Sequence, residues 1–76
     1  MEMYCMRLIA DGIGEASTYY FESDMSAAEV EQYFIKIFAD FQTSRNIYKS
    51  IDTVLANVEK GKTLKRIEPM SFSYYW

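Results

Sequence analysis

SAAEVEQYFIKIFADF, residues 26–41, places Val30, Tyr33, Phe34, Ile37, Phe38 and Phe41 at i, i+3, i+4, i+7, i+8 and i+11. That spacing gathers side chains on one face of a 3.6-residue helix and predicts a core helix. Ser26 stands at the N-cap with Glu29 three residues on, a capping box, and Met25 precedes the cap where it can pack on Val30 as a hydrophobic staple. The rest of the chain reads as what covers that aromatic stripe.

Upstream, MYCMRLIA (residues 3–10) alternates Tyr4, Met6, Leu8 and Ala10 against Met3, Cys5, Arg7 and Ile9. Both sets are largely apolar, which predicts a central strand. Asp11-Gly12 with Gly14 makes a loop, and ASTYYFE (16–22), rich in strand formers, is expected to pair back as an antiparallel hairpin. Downstream, Thr43-Ser44-Arg45-Asn46 interrupts the stripe, so the first helix ends there. One long bent helix over residues 27–60 is the alternative, since the stripe regains Tyr48, Ile51, Leu55 and Val58. Ile47, Ile51, Val54, Leu55 and Val58 mark a second apolar face, and Gly61 is expected to cap it. TLKRIE (63–68) is a weak, polar strand; MSFSYYW (70–76) alternates as a half-buried one, with Pro69 between them implying an edge or a bulge.

The expected fold is therefore α+β in the order ββααβ: a small antiparallel sheet of the N-terminal hairpin and a C-terminal strand, covered on one face by two helices. Seventy-six residues make a single domain, 1–76, whose core is small enough to need dense packing or a partner. Seven Tyr, five Phe and one Trp must supply much of that core. One cysteine excludes an internal disulfide, and no histidine accompanies it, so no zinc set and no cofactor is expected. The lone thiol, and the charges at Glu2, Arg7 and Asp11 where a leader would be apolar, point to the cytoplasm. No run approaches the roughly 18 apolar residues of a membrane helix.

Catalytic signatures fail one by one. Residues 56–63, ANVEKGKT, fit a relaxed phosphate-loop pattern, but a helix precedes and a strand follows, the reverse of what aims N–H groups at phosphate. Gly12-Ile13-Gly14 lacks the third glycine of a dinucleotide fingerprint, and a hairpin loop accounts for it. Cys5 has no histidine to activate it and reads as inert core. Glu29 and Glu31, two apart on a helix, point in different directions and make no acid–base pair. An enzyme is not expected.

Charge is the remaining signal. Residues 1–42 hold eight acids against two bases, a net −6; residues 43–76 hold six bases against three acids, a net +3. Asp11, Glu15, Glu22, Asp24, Glu29 and Glu31 are the candidate partner-binding residues, an acidic patch facing a basic surface on a larger protein, including one that itself binds nucleic acid. In size, acidity and lack of catalytic groups the chain resembles the small phage-encoded inhibitors of bacterial defence systems, such as anti-CRISPR proteins; the resemblance is one of class and assigns no residue. It implies a non-catalytic inhibitor or regulator. Two alternatives stand beside it. Lys60, Lys62, Lys65 and Arg66, with Tyr74 and Trp76 to stack on bases, would bind single-stranded nucleic acid. Tyr19, Tyr75 and Trp76 would form an aromatic edge-strand interface, with a homodimer as one outcome.

Overall fold

A computed structural model of the chain describes residues 1–9 and 16–68. It shows β1 (Glu2–Ile9), β2 (Ala16–Ser23), α1 (Ala27–Ser44), α2 (Ile47–Leu55) and β3 (Leu64–Ile67), an α+β fold in the order ββααβ. The strands form one antiparallel sheet in the order β1-β2-β3. Among the described residues β2 is therefore central and β1 lies at an edge, which corrects the expectation that β1 is the inner strand. Alternation could not decide this, because β2 becomes central only when β3 returns to pair along its other side. The half-buried strand expected over residues 70–76 lies outside the described residues.

Register fixes which side chains share a face. Tyr4 pairs with Phe21 and Met6 with Tyr19, while Ser23 pairs with Leu64 and Phe21 with Arg66, so these residues turn together toward the helices. Met6, Phe21, Ser23 and Leu64 are buried there. Met3, Cys5, Arg7 and Ile9 occupy the opposite face and are all exposed. Cys5 is accordingly a surface residue and not core.

The helices divide the sheet between them. α1 meets β1 and sets Phe34 against Phe21, ring centroids 5.1 Å apart; α2 brings Tyr48 against Tyr19 and Arg66. Val30 and Ile37 of α1 and Ile51 and Val54 of α2 complete a core with Met6, Phe21, Met25 and Leu64. Each of the fully buried aliphatic or aromatic side chains contributes about 2–3 kcal/mol through the water it sheds. Phe38, expected in the buried stripe, is 46% exposed. It lies with Ile35 on a flank of α1 that no described residue covers.

The cap of α1 follows the sequence closely: Ser26 Oγ accepts from the Glu29 N–H at 3.4 Å and donates to the Glu29 carboxylate. The break before α2 makes two helices, not one bent one. Arg45 sits at φ 60° with its N–H on the Phe41 carbonyl at 2.8 Å, and Asn46 caps α2 by accepting from the Lys49 N–H at 3.1 Å. Gly61 does not cap α2, which ends at Leu55. Its φ of 91° serves a turn closed by the Lys62 N–H on the Glu59 carbonyl, a conformation glycine adopts without strain.

Candidate functional site

An open groove of about 250 Å³ runs between β1 and α1. From α1 come Glu31, Phe34, Ile35 and Phe38, at i, i+3, i+4 and i+7 along one helix face. From β1 come three consecutive residues, Met6, Arg7 and Leu8. Neighbours in a strand point to opposite faces, so a wall built from three in a row is the side of the strand itself, where backbone N–H and C=O groups lie. That side of β1 has no partner among the described residues, since β1 pairs only with β2. The groove thus combines a row of hydrogen-bonding backbone with an apolar slot, Ile35 being 54% and Phe38 46% exposed. Among the described residues Glu31 is the one acid on its walls.

A smaller cleft of about 160 Å³ separates the helices on the other flank of α1, between Tyr33, Lys36 and Asp40 on one side and Thr53, Val54 and Asn57 on the other. Lys36 Nζ stands 5.1 Å from the Tyr33 ring centre, and the Tyr33 hydroxyl accepts from the Glu59 N–H at 3.3 Å. The Tyr33–Glu59 bond ties the segment that follows α2 back to α1.

The four proposed acids among the described residues, Glu22, Asp24, Glu29 and Glu31, do not share one face. Asp11 and Glu15 lie outside the described residues. Asp24 accepts from the Thr63 N–H at 2.9 Å, and Glu29 accepts from Lys62 Nζ at 2.6 Å, so both secure the segment that leads into β3. Lys62 also reaches Glu59 at 3.2 Å. The hydrogen bond and charge of Lys62 hold the Glu29 carboxyl below its ordinary range, and the same bonds from Glu29 and Glu59 raise the Lys62 ammonium. Glu22 stands on the open face of the sheet between Met3 and Lys65. Glu31 alone borders the groove.

The basic residues are likewise dispersed. Lys60 is exposed in the turn, Lys62 is held by two carboxylates, and Lys65 and Arg66, adjacent in β3, turn to opposite faces. Arg66 pairs with Glu68 and lies 5.2 Å from the Tyr48 ring centre. Tyr19 packs edge-on against Tyr48 at 5.9 Å, on the helix side of the sheet; Tyr75 and Trp76, proposed with it, lie outside the described residues. Among the described residues no three metal-ligating side chains come together, and no helix is long and apolar enough to cross a membrane.

Sequence reasoning missed the groove because Ile35 falls outside the buried stripe and the position of β1 at the edge has no local signal. Ile35 beside Phe34 and Phe38 was the available clue: it makes the apolar arc of α1 wider than one small sheet can cover. Compared with protein families, with curated proteins and with solved structures, the chain matches none.

Proposed function

We propose that the chain is a non-catalytic protein-binding module, a small acidic inhibitor or regulator that engages a larger protein through the β1–α1 groove. The observation that carries this reading is the coincidence of a strand edge, unpaired among the described residues, with an apolar slot along it. Addition of an extended segment to a sheet edge draws affinity from backbone hydrogen bonds and specificity from alternate side chains in such a slot. The partner segment has apolar residues for Ile35 and Phe38 and a basic residue for Glu31, which retains the basic surface expected from the acidity of the chain. Inhibition of a bacterial defence protein, as in the anti-CRISPR class, is the biological form we assign to it. A reducing cytoplasm suits the exposed, unpaired Cys5.

The test compares the tagged wild type with Phe38→Asp, Glu31→Lys and Lys60→Glu in nuclease-treated bacterial lysate, each variant first shown to keep the wild-type circular dichroism spectrum. One protein bound by the wild type and Lys60→Glu, and lost by both Phe38→Asp and Glu31→Lys, is expected. A partner bound equally by all four removes the groove from the function. Asp24 is left intact because its bond to Thr63 would confound binding with folding.

A further inference from the structure

The open face of the sheet is built in cross-strand rows. Cys5, Tyr20 and Ile67 form a row through all three strands; Met3, Glu22 and Lys65 form the row on one side of it, and Arg7 and Thr18 the row on the other. Met3 is 60%, Ile9 64% and Tyr20 38% exposed. The middle of this face is thus apolar; one end carries Arg7 on β1, and the other carries Glu22 on β2 with Lys65 beside it on β3. A sheet with one wet side ordinarily shows polar residues there. β1 instead has the composition of a strand buried on both sides, while the described residues supply a layer on only one.

We propose that a second copy of this chain supplies the missing layer, the two sheets packing face to face about a two-fold axis that runs along the Cys5–Tyr20–Ile67 row. Such an axis sets that row on its own copy and reverses the strand direction. Arg7 of each protomer then comes to the end of the partner sheet that holds Glu22, and Glu22 to the end that holds Arg7. An interface between identical patches must complement itself, which a face of one sign cannot do. Here the apolar row lies on the axis, and Arg7 on β1 comes beside the partner's Glu22 on β2, with the partner's Lys65 one strand further away. The strands run close to antiparallel across the interface, as in aligned sheet packing with layers ~10 Å apart. Three short strands make an interface at the small end of the specific range, so the dimer is reversible and depends on concentration. The groove between β1 and α1 opens along the side of β1 and shares only Arg7 with this face, so Tyr20→Lys and Phe38→Asp report the two sites separately.

Sedimentation of the full chain across a concentration series, with a short bismaleimide crosslinker at Cys5, tests the arrangement. The wild type is expected to sediment as a concentration-dependent dimer and to crosslink in high yield, whereas Tyr20→Lys, on the open face, is expected to be a folded monomer. Arg7→Glu and Glu22→Arg are each expected to weaken the dimer about tenfold, and the double exchange to restore it. Arg7 and Glu22 lie in different rows of one chain, so only contact between chains gives that rescue. Ile67→Lys is the second disrupting variant should Tyr20→Lys fail to fold. A wild type that stays monomeric at high micromolar concentration overturns the proposal, as does a dimer lost with Phe38→Asp but kept with Tyr20→Lys. A dimer that appears only when residues 69–76 are removed overturns it too, because that segment is then what covers the face.

Discussion

Replacing Ser23 with alanine removes two hydrogen bonds at one fully buried site. Its hydroxyl donates to the Thr63 carbonyl at 2.6 Å and accepts from the Met25 N–H at 2.9 Å. Loss of the oxygen leaves a backbone donor and a backbone acceptor without their partner in a region that excludes water, so urea denaturation is expected to show a loss of about 2 kcal/mol with little change in slope. The Glu29–Lys62 pair acts at the same scale but depends on pH. Because the folded Glu29 carboxyl is held below its ordinary value near 4.5, its contribution is complete above that value and disappears as pH falls through the lowered one. Lys62 behaves inversely: raised above its ordinary 10.5, it contributes below that value and is lost only in strong alkali. The stability difference between wild type and Glu29→Gln is therefore expected to be flat from about pH 6 to 9 and to vanish in acid, read by thermal melts at each pH. A difference that persists at pH 2 would show that the glutamate acts through packing. With both side chains partly in water, the difference is also expected to shrink with added salt.

Among the elements, the corner between α1 and α2 is the one most open to improvement. Arg45 adopts a left-handed conformation that crowds its Cβ, and the Ser50 hydroxyl, buried between the helices, shares a hydrogen bond with the Ser44 hydroxyl at 2.9 Å and lies 3.0 Å from the Asn46 carbonyl. The corner is thus held by polar contacts that do not involve the Arg45 side chain. Arg45→Gly is expected to stabilise the protein by about 1 kcal/mol, measured as a rise in melting temperature. The corner also shows what a sequence can and cannot convey. The poor helix formers from Thr43 to Asn46 announced a break, and the Ser26 cap was legible because its partner Glu29 is three residues away. The edge position of β1 was not legible, since it depends on which strand pairs along the far side of β2. Phe38 was misplaced for a related reason: periodicity identifies an apolar face but not how much of that face the neighbouring layer can cover.

For the whole molecule, one layer of helices on one sheet gives a shortest dimension of 20 Å, two layers thick. The large counts of aromatic and acidic residues were plain from composition, yet their allocation was not. Asp24 and Glu29 reach Thr63 and Lys62, 39 and 33 residues along the chain, and a charge inventory cannot separate acids so engaged from those, such as Glu31, that remain beside an open groove. The clasp of Ser23 and Asp24 on Thr63 also bears on the order in which the chain assembles. The hairpin and the helix pair form between neighbours in sequence, whereas β3 joins β2 only after a loop of forty residues has closed. Contacts made that late are absent at the folding barrier. Ser23→Ala should consequently leave the refolding rate nearly unchanged in stopped-flow experiments and raise the unfolding rate, so that the clasp governs how long the folded state lasts rather than how quickly it is reached.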